Sequence, residues 1–533
     1  YEMSGPSMGT MRLDYDDGSS CELRLSFTES GGTFAYDCGD GGTEVGSFRL
    51  TTGSLFVPVI LSSAGQNQSF FTSELTLTNR GEEEVRLDYT YTAKEGGGSG
   101  KASDVLPAGR QKIATNALTY LEGRGIPIPG RGNRIGTLRV DVPPGSEVEA
   151  VVRTTTVVPD GRAGLAYPGV AEEEGFSEPV YLCGLRQNSR DRSNVAFQNM
   201  GTVGEGAITL KTTVYSGEVG DTEPRVLVDV TLGPGGFHQY SGLLGSVENG
   251  YVKVERVEGE APFYAYGVIN DQANSDGSFV FPVTAGSLEG KMAQTLPVIV
   301  ETPHFTSELT VTNFSEELRT LNFAFVSEQI QGDDKRVEFS MDLEAGEQVL
   351  IPELVEALRR EEMAKLGASR RFYLGPLFVT AEEGDLSGIV IGARTSSQGG
   401  GGRYGVYYNA VPEGEGFEKE AWVEGLQQNE ENRSNLALVN TGEVNDSPSL
   451  FHLEIYNGET GMLEETVVTR AIPARGWHQI DGILLRAGQE TKQGYIRIEK
   501  VSGENPFLAY GVINDGGAPG ERSGDGAYLP ARE

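Results

Sequence analysis

Two turns rich in oxygen ligands recur in this chain: Asn270-Asp271 followed by Asp276-Gly277, and Asn514-Asp515 followed by Asp525-Gly526. Hard cations bind where several carboxylate and amide oxygens converge on one turn. Calcium is therefore the chemistry offered by Asn270, Asp271, Asp276, Asn514, Asp515 and Asp525. The interval between the aspartates changes from five residues (271 to 276) to ten (515 to 525). Asn and Asp are also ordinary turn formers, so a structural role competes with calcium. No motif in the chain requires a cofactor.

Other chemistry is thinner. His238 and His478 each follow a glycine turn and precede Gln, and Arg192-Ser193-Asn194 returns as Arg433-Ser434-Asn435. A His with Ser and Asp nearby can perform acyl transfer, but polar residues at sandwich turns more commonly bond to neighbouring backbone. The string Gly5-Pro6-Ser7-Met8-Gly9 lacks the strand-turn-helix setting of a nucleophile elbow. Four His and no Cys/His cluster leave zinc unsupported. Glycoside chemistry would want aromatic platforms or opposed carboxylates, and Trp422 and Trp477 are the only tryptophans. Cys21 and Cys38 face each other if a hairpin turns between Glu29 and Ser30, which predicts a disulfide and an oxidising compartment, with two free thiols as the alternative. Cys183 lies among apolar neighbours and reads as a spectator thiol; Glu424 stands at the matching place in the later repeat.

Behind these residues is a duplication. Residues 181–199 (YLCGLRQNSRDRSNVAFQN) return as 422–440, and PFYAYGVIND at 262–271 returns as PFLAYGVIND at 506–515. FTSELTLTN at 71–79 returns as FTSELTVTN at 305–313, and Arg153 returns as Arg394. The halves are themselves related, each opening on an alternating segment that ends in Asn79, Asn199, Asn313 or Asn440. The order is therefore A-B-A′-B′, with a β-ribbon at 1–47, A at 48–170, B at 171–290, A′ at 291–412 and B′ at 413–533. Short Val-, Thr- and Tyr-rich strands broken by Gly, Pro and Asn predict an all-β chain of four antiparallel sandwiches. One helix over 351–367 is expected as an insertion in A′, and a short one around 113–121 in A.

With 77 acidic against 43 basic residues the net charge is −34, which argues against nucleic acid as a partner. No apolar run reaches the length that spans a bilayer. The opening at Tyr1, without a basic or apolar leader, predicts a mature or trimmed product.

In strand patterning and tandem repetition over 48–533 the chain resembles the immunoglobulin-like sandwich modules of secreted and surface-anchored bacterial proteins, including adhesins and filament subunits. That resemblance implies an extracellular or cell-surface, non-catalytic structural protein. It would serve as a spacer, an adhesin or a filament subunit whose partners are copies of itself joined end to end, or a surface protein or glycan. The alternative is a glycan- or protein-binding accessory region of a larger secreted enzyme.

Overall fold

The computed structural model describes residues 53–533 except 222, 362–364, 370, 400 and 489, together with the backbone of five strands between 2 and 49. All pairing is antiparallel and the sheets are open. The N-terminal strands Glu2–Gly5, Met8–Asp14, Ser20–Thr28, Gly31–Asp37 and Thr43–Arg49 pair in sequence order, so the expected ribbon is a meander that runs past residue 47. Glu22 pairs with Asp37 and Thr28 with Gly31 in its second hairpin. The side chain of Cys21 and the whole of Cys38 lie outside the described residues. The expectation of a disulfide protein is corrected: among the described residues there is no disulfide, and Cys183 is a free thiol enclosed by Tyr251, Leu288 and Val390 with no second sulfur beside it.

Segments A and A′ share one topology. In A the order is Gly161–Pro168, Val148–Val158, Phe70–Asn79, Leu55–Ala64, Arg134–Asp141, Val85–Glu95 and Gly100–Leu106, and A′ repeats it from Gly402–Asn409 to Arg336–Leu343. Two separate sheets were expected in each; the structure has one nine-stranded sheet in each. The reason is a corner: Phe70–Asn79 pairs along Gln111–Ala114 and then, at Phe70 to Thr72, with Ser62 to Ala64 of the other arm. The sheet folds there, and Leu75, Leu77 and Val152 of one arm meet Val57, Leu87, Tyr89 and Leu138 of the other in one buried cluster. B and B′ are each two sheets, with Asp191–Asn199 between Phe237–Ser241 and Phe263–Asp271 matching Asn432–Asn440 between Trp477–Ile480 and Phe507–Asp515.

The recurring asparagines explain why all four segments open alike. Asn79, Asn199, Asn313 and Asn440 are fully buried at strand ends, and each amide nitrogen donates to two or three backbone carbonyls of the following turn and strand. Each amide oxygen accepts from the backbone N–H two residues on. Carbonyls that would otherwise be buried without partners are thereby satisfied.

Helix placement also differs from expectation. Helix α1 (Ala117–Gly123), capped by Asn116, and helix α2 (Leu354–Glu361) occupy the same crossover in A and A′, so the second is no insertion and is about two turns long. It buries Leu354, Val355 and Leu358 against the A′ core, where Arg359 is ion-paired with Glu301. Among the described residues no helix is long and apolar enough to cross a membrane.

The segments do not form a row. Phe263–Asp271 is buried at every position because Phe263, Ala265 and Ile269 fill the B core while Tyr264, Tyr266 and Val268 pack on A. Phe507–Asp515 does the same between B′ and A′. B also packs on A′ through Tyr407, and B′ returns to A through Val151 and Ala166. The four segments therefore pack on one another in a closed body, through faces of interior strands and not through sheet edges.

Candidate functional site

Strands Gly161–Pro168, Gly277–Val280, Gly402–Asn409 and Gly526–Pro530, one from each segment, meet at the centre. Here the structure brings together Asp276 and Asp525 from the two oxygen-rich turns. Gly405 N donates to Asp276 Oδ2 at 2.8 Å, and Gly164 N donates to Asp525 Oδ2 at 2.8 Å and to Asp276 Oδ1 at 3.3 Å. Glycine is required at Gly164, where a Cβ would lie 2.0 Å from the Thr154 carbonyl oxygen, and one at Gly405 would press on Arg394 Nε at 3.0 Å. The two carboxyl groups hydrogen-bond to each other, and burial raises both, Asp276 to about 7. Two carboxylates in contact cannot both ionise cheaply, so the pair holds a proton. Asp276 is wholly buried and Asp525 nearly so; the pair joins the four strands and is closed to a substrate.

The remaining turn residues are dispersed. Asp271 accepts from Ala273 N, Asn274 N and Arg403 N, and Asp515 from Arg162 N and the Ser523 hydroxyl and N–H. Asn270 and Asn514 donate to Val268 O and Val512 O in their own strands. Among the described residues no group of three or more His, Cys, Asp or Glu is placed to hold a metal ion. His238 and His478 take equivalent places opposite Phe197 and Leu438, and among the described residues neither ring is hydrogen-bonded to a serine or a carboxylate. Burial lowers the pKa of both. Asn194 and Asn435 accept from Gly242 N and Gly482 N in the same role.

Around the centre the two halves diverge. At the B–A′ interface Arg186 is ion-paired with Glu308, and Arg394 Nη1 donates to Asp191 Oδ1 at 2.9 Å while its Nε donates to the Ser278 hydroxyl at 2.9 Å. Arg403 Nη2 reaches both Asp191 oxygens at 2.7 Å. These three cations hold the Asp191 carboxylate below its ordinary range despite burial. At the B′–A interface the matching residues are Gln427 for Arg186, Asn432 for Asp191 and Ala527 for Ser278, while Glu74, Arg153 and Arg162 keep the types of Glu308, Arg394 and Arg403. Gln427 Nε2 donates to Glu74 Oε1 at 2.7 Å, and Arg162 pairs with Glu431 at 3.1 Å. Arg153, only 7% exposed, has neither an ion-pair nor a hydrogen-bond partner for its side chain among the described residues, and its Nε is buried without an acceptor. It lines an open cleft of about 690 Å³ between A and B′, walled also by Phe70, Thr72, Ile113, Asn432 and Lys492.

Sequence reasoning paired Arg153 with Arg394 but did not assign either to a site. The signal was available: in the aligned repeats the arginine is kept while its carboxylate and hydroxyl partners are replaced.

No protein-family model matches the chain, and no curated protein does. Among solved structures the chain is similar to one described as the crystal structure of Thermotoga maritima 1070, at 12% identity and a TM-score of 0.17, over 23% of this chain and 96% of that one.

Proposed function

We propose that this chain is a non-catalytic binding protein of the cell surface or extracellular space, and that its ligand sits in the cleft between A and B′. One observation carries the reading. Around the equivalent arginines Arg394 and Arg153 of the two duplicated interfaces, the first is enclosed by the buried ion pairs of Asp191 and Glu308, and at the second Asp191, Arg186 and Ser278 are replaced by two amides and a methyl beside an open cleft. A volume of about 690 Å³ is in the range of small-molecule sites. The contact of B′ with A, through Val151 and Ala166, places this cleft between the first and last of the four segments. A cleft of this kind also suits an accessory region that captures a solute or a chain end.

The test is a thermal-shift screen of the full chain against pools of amino acids, organic acids, sugars and nucleotides. At least one pool should raise the melting temperature, since a ligand that binds only the folded state stabilises it. Thr72→Trp, which fills the cleft, should abolish that response. No response from any pool, or one that survives Thr72→Trp, would refute the reading.

A further inference from the structure

We propose that the ligand group captured in this cleft is a carboxylate, received by the guanidinium of Arg153; the inference rests on the binding reading above and adds the ligand class. A buried guanidinium that makes no direct ion pair or hydrogen bond is less stable than a paired one. An arriving anion relieves that cost, which makes Arg153 a seat rather than a strut. The protein itself supplies the template. On the equivalent Arg394 the duplicated half places a carboxylate, that of Asp191, at 2.9 Å from Nη1, and a hydroxyl at 2.9 Å from Nε. In the A–B′ cleft both are gone, since Asn432 and Ala527 stand in their places, and the Nε of Arg153 and the Oδ1 of Asn432 are buried without partners. A planar ligand carboxylate restores what Asp191 provides, because the guanidinium fork matches two carboxylate oxygens.

The surroundings narrow the class. Glu74 is the cross-strand neighbour of Arg153 and stays in place through Gln427. Glu431 and Glu459 balance Arg162 and Lys492 on the walls. A highly charged anion would meet these carboxylates at close range, whereas a monocarboxylate, or a zwitterion whose ammonium faces Glu74, would not.

The experiment uses the full chain, with sodium acetate and L-glutamate as probes and inorganic phosphate as comparator, at constant ionic strength set with chloride. Acetate or glutamate should raise the melting temperature of the wild type in a saturable manner, more than phosphate. Asn432→Asp rebuilds the internal partner seen at Asp191; it should raise the melting temperature without ligand and weaken carboxylate binding at least tenfold. Arg153→Gln should weaken binding by a similar factor. The Asn432→Asp protein controls for folding, since its loss of binding comes with a gain in stability. Three results overturn the proposal: carboxylates bind Asn432→Asp as tightly as the wild type, phosphate outcompetes both probes, or neither probe binds while another solute pool does. The last leaves the cleft reading standing; silence from every pool removes both.

Discussion

Replacing Asp276 by Asn tests the central carboxyl pair. In the wild type Asp525 Oδ2 and Asp276 Oδ1 both accept from Gly164 N, and Asp525 Oδ1 is buried without a hydrogen-bond partner, an arrangement that a proton shared by the two carboxyl groups would satisfy. Burial raises Asp276 from the ordinary 3.8 to about 7, with Arg394 as the cation opposing the rise at 3.9 Å. At about 1.36 kcal/mol for each tenfold change in proton affinity, that rise corresponds to about 4 kcal/mol. The folded value lies above the unfolded one, so this contribution is fully present below about pH 4 and is lost as the pH rises through about 7. An asparagine at this position would keep an oxygen for Gly405 N and offer Asp525 a permanent N–H donor. Asp276→Asn should therefore match the wild type near pH 4 and gain on it steadily, by about 4 kcal/mol near pH 8. The assay is denaturant unfolding of both proteins from pH 4 to 8, with infrared detection of a buried protonated carboxyl in the wild type. Subtracting the two pH profiles cancels the carboxylates common to both. A difference that stays flat with pH, or a variant that is weaker at every pH, would refute the shared proton.

Gln348→Ala should destabilise the protein by about 1 kcal/mol more than Gln111→Ala, in denaturant unfolding. Gln348 donates to Leu185 O, Gly250 O and Asn249 Oδ1 and accepts from Gly184 N and Thr312, whereas Gln111 makes fewer and longer bonds across the equivalent interface. Burial pushes the Cys183 thiol up to about 12, so iodoacetamide at pH 8 should leave it unmodified in the native protein and label it after unfolding, as read by mass spectrometry. Millimolar calcium or a chelator should leave the melting temperature unchanged, because the Asp271 and Asp515 carboxylates already face N–H, hydroxyl and guanidinium donors; a shift of several degrees would restore the turns as a cation site.

Much of the fold was legible because it follows from local pattern. Alternating burial along Val85–Glu95 and the repeated Asn at four strand ends are statements about single strands and their next turns. The corner at Phe70 to Thr72 was not legible, since nothing in FTSELTLTN says that one strand will pair with two partners on the same side. The meeting of Asp276 with Asp525 was hidden for a different reason. Their turns were read as two independent copies, and contact between the copies depends on the closure of all four segments. For Arg153 the informative feature was a mismatch: aligned repeats invite attention to what they keep, and the cleft is made by what Asp191 and Ser278 became in B′.

The return of B′ to A has a consequence for how the chain is made. Tyr495 donates to Gly109 O and Arg162 N to Asp515, contacts that span several hundred residues of sequence. During synthesis the A–B contacts can form while A′ is still being made, but the strands of A that face B′ must wait, with Val151 and Ala166 uncovered, until the last segment is complete. Non-local closure of this kind is slow, and apolar surface left waiting is prone to mispairing. A second chain at the same stage carries the same uncovered A and the same arriving B′, so crowded nascent chains can exchange last segments and close as interlocked pairs. The cleft would then be built between two molecules with its residues unchanged.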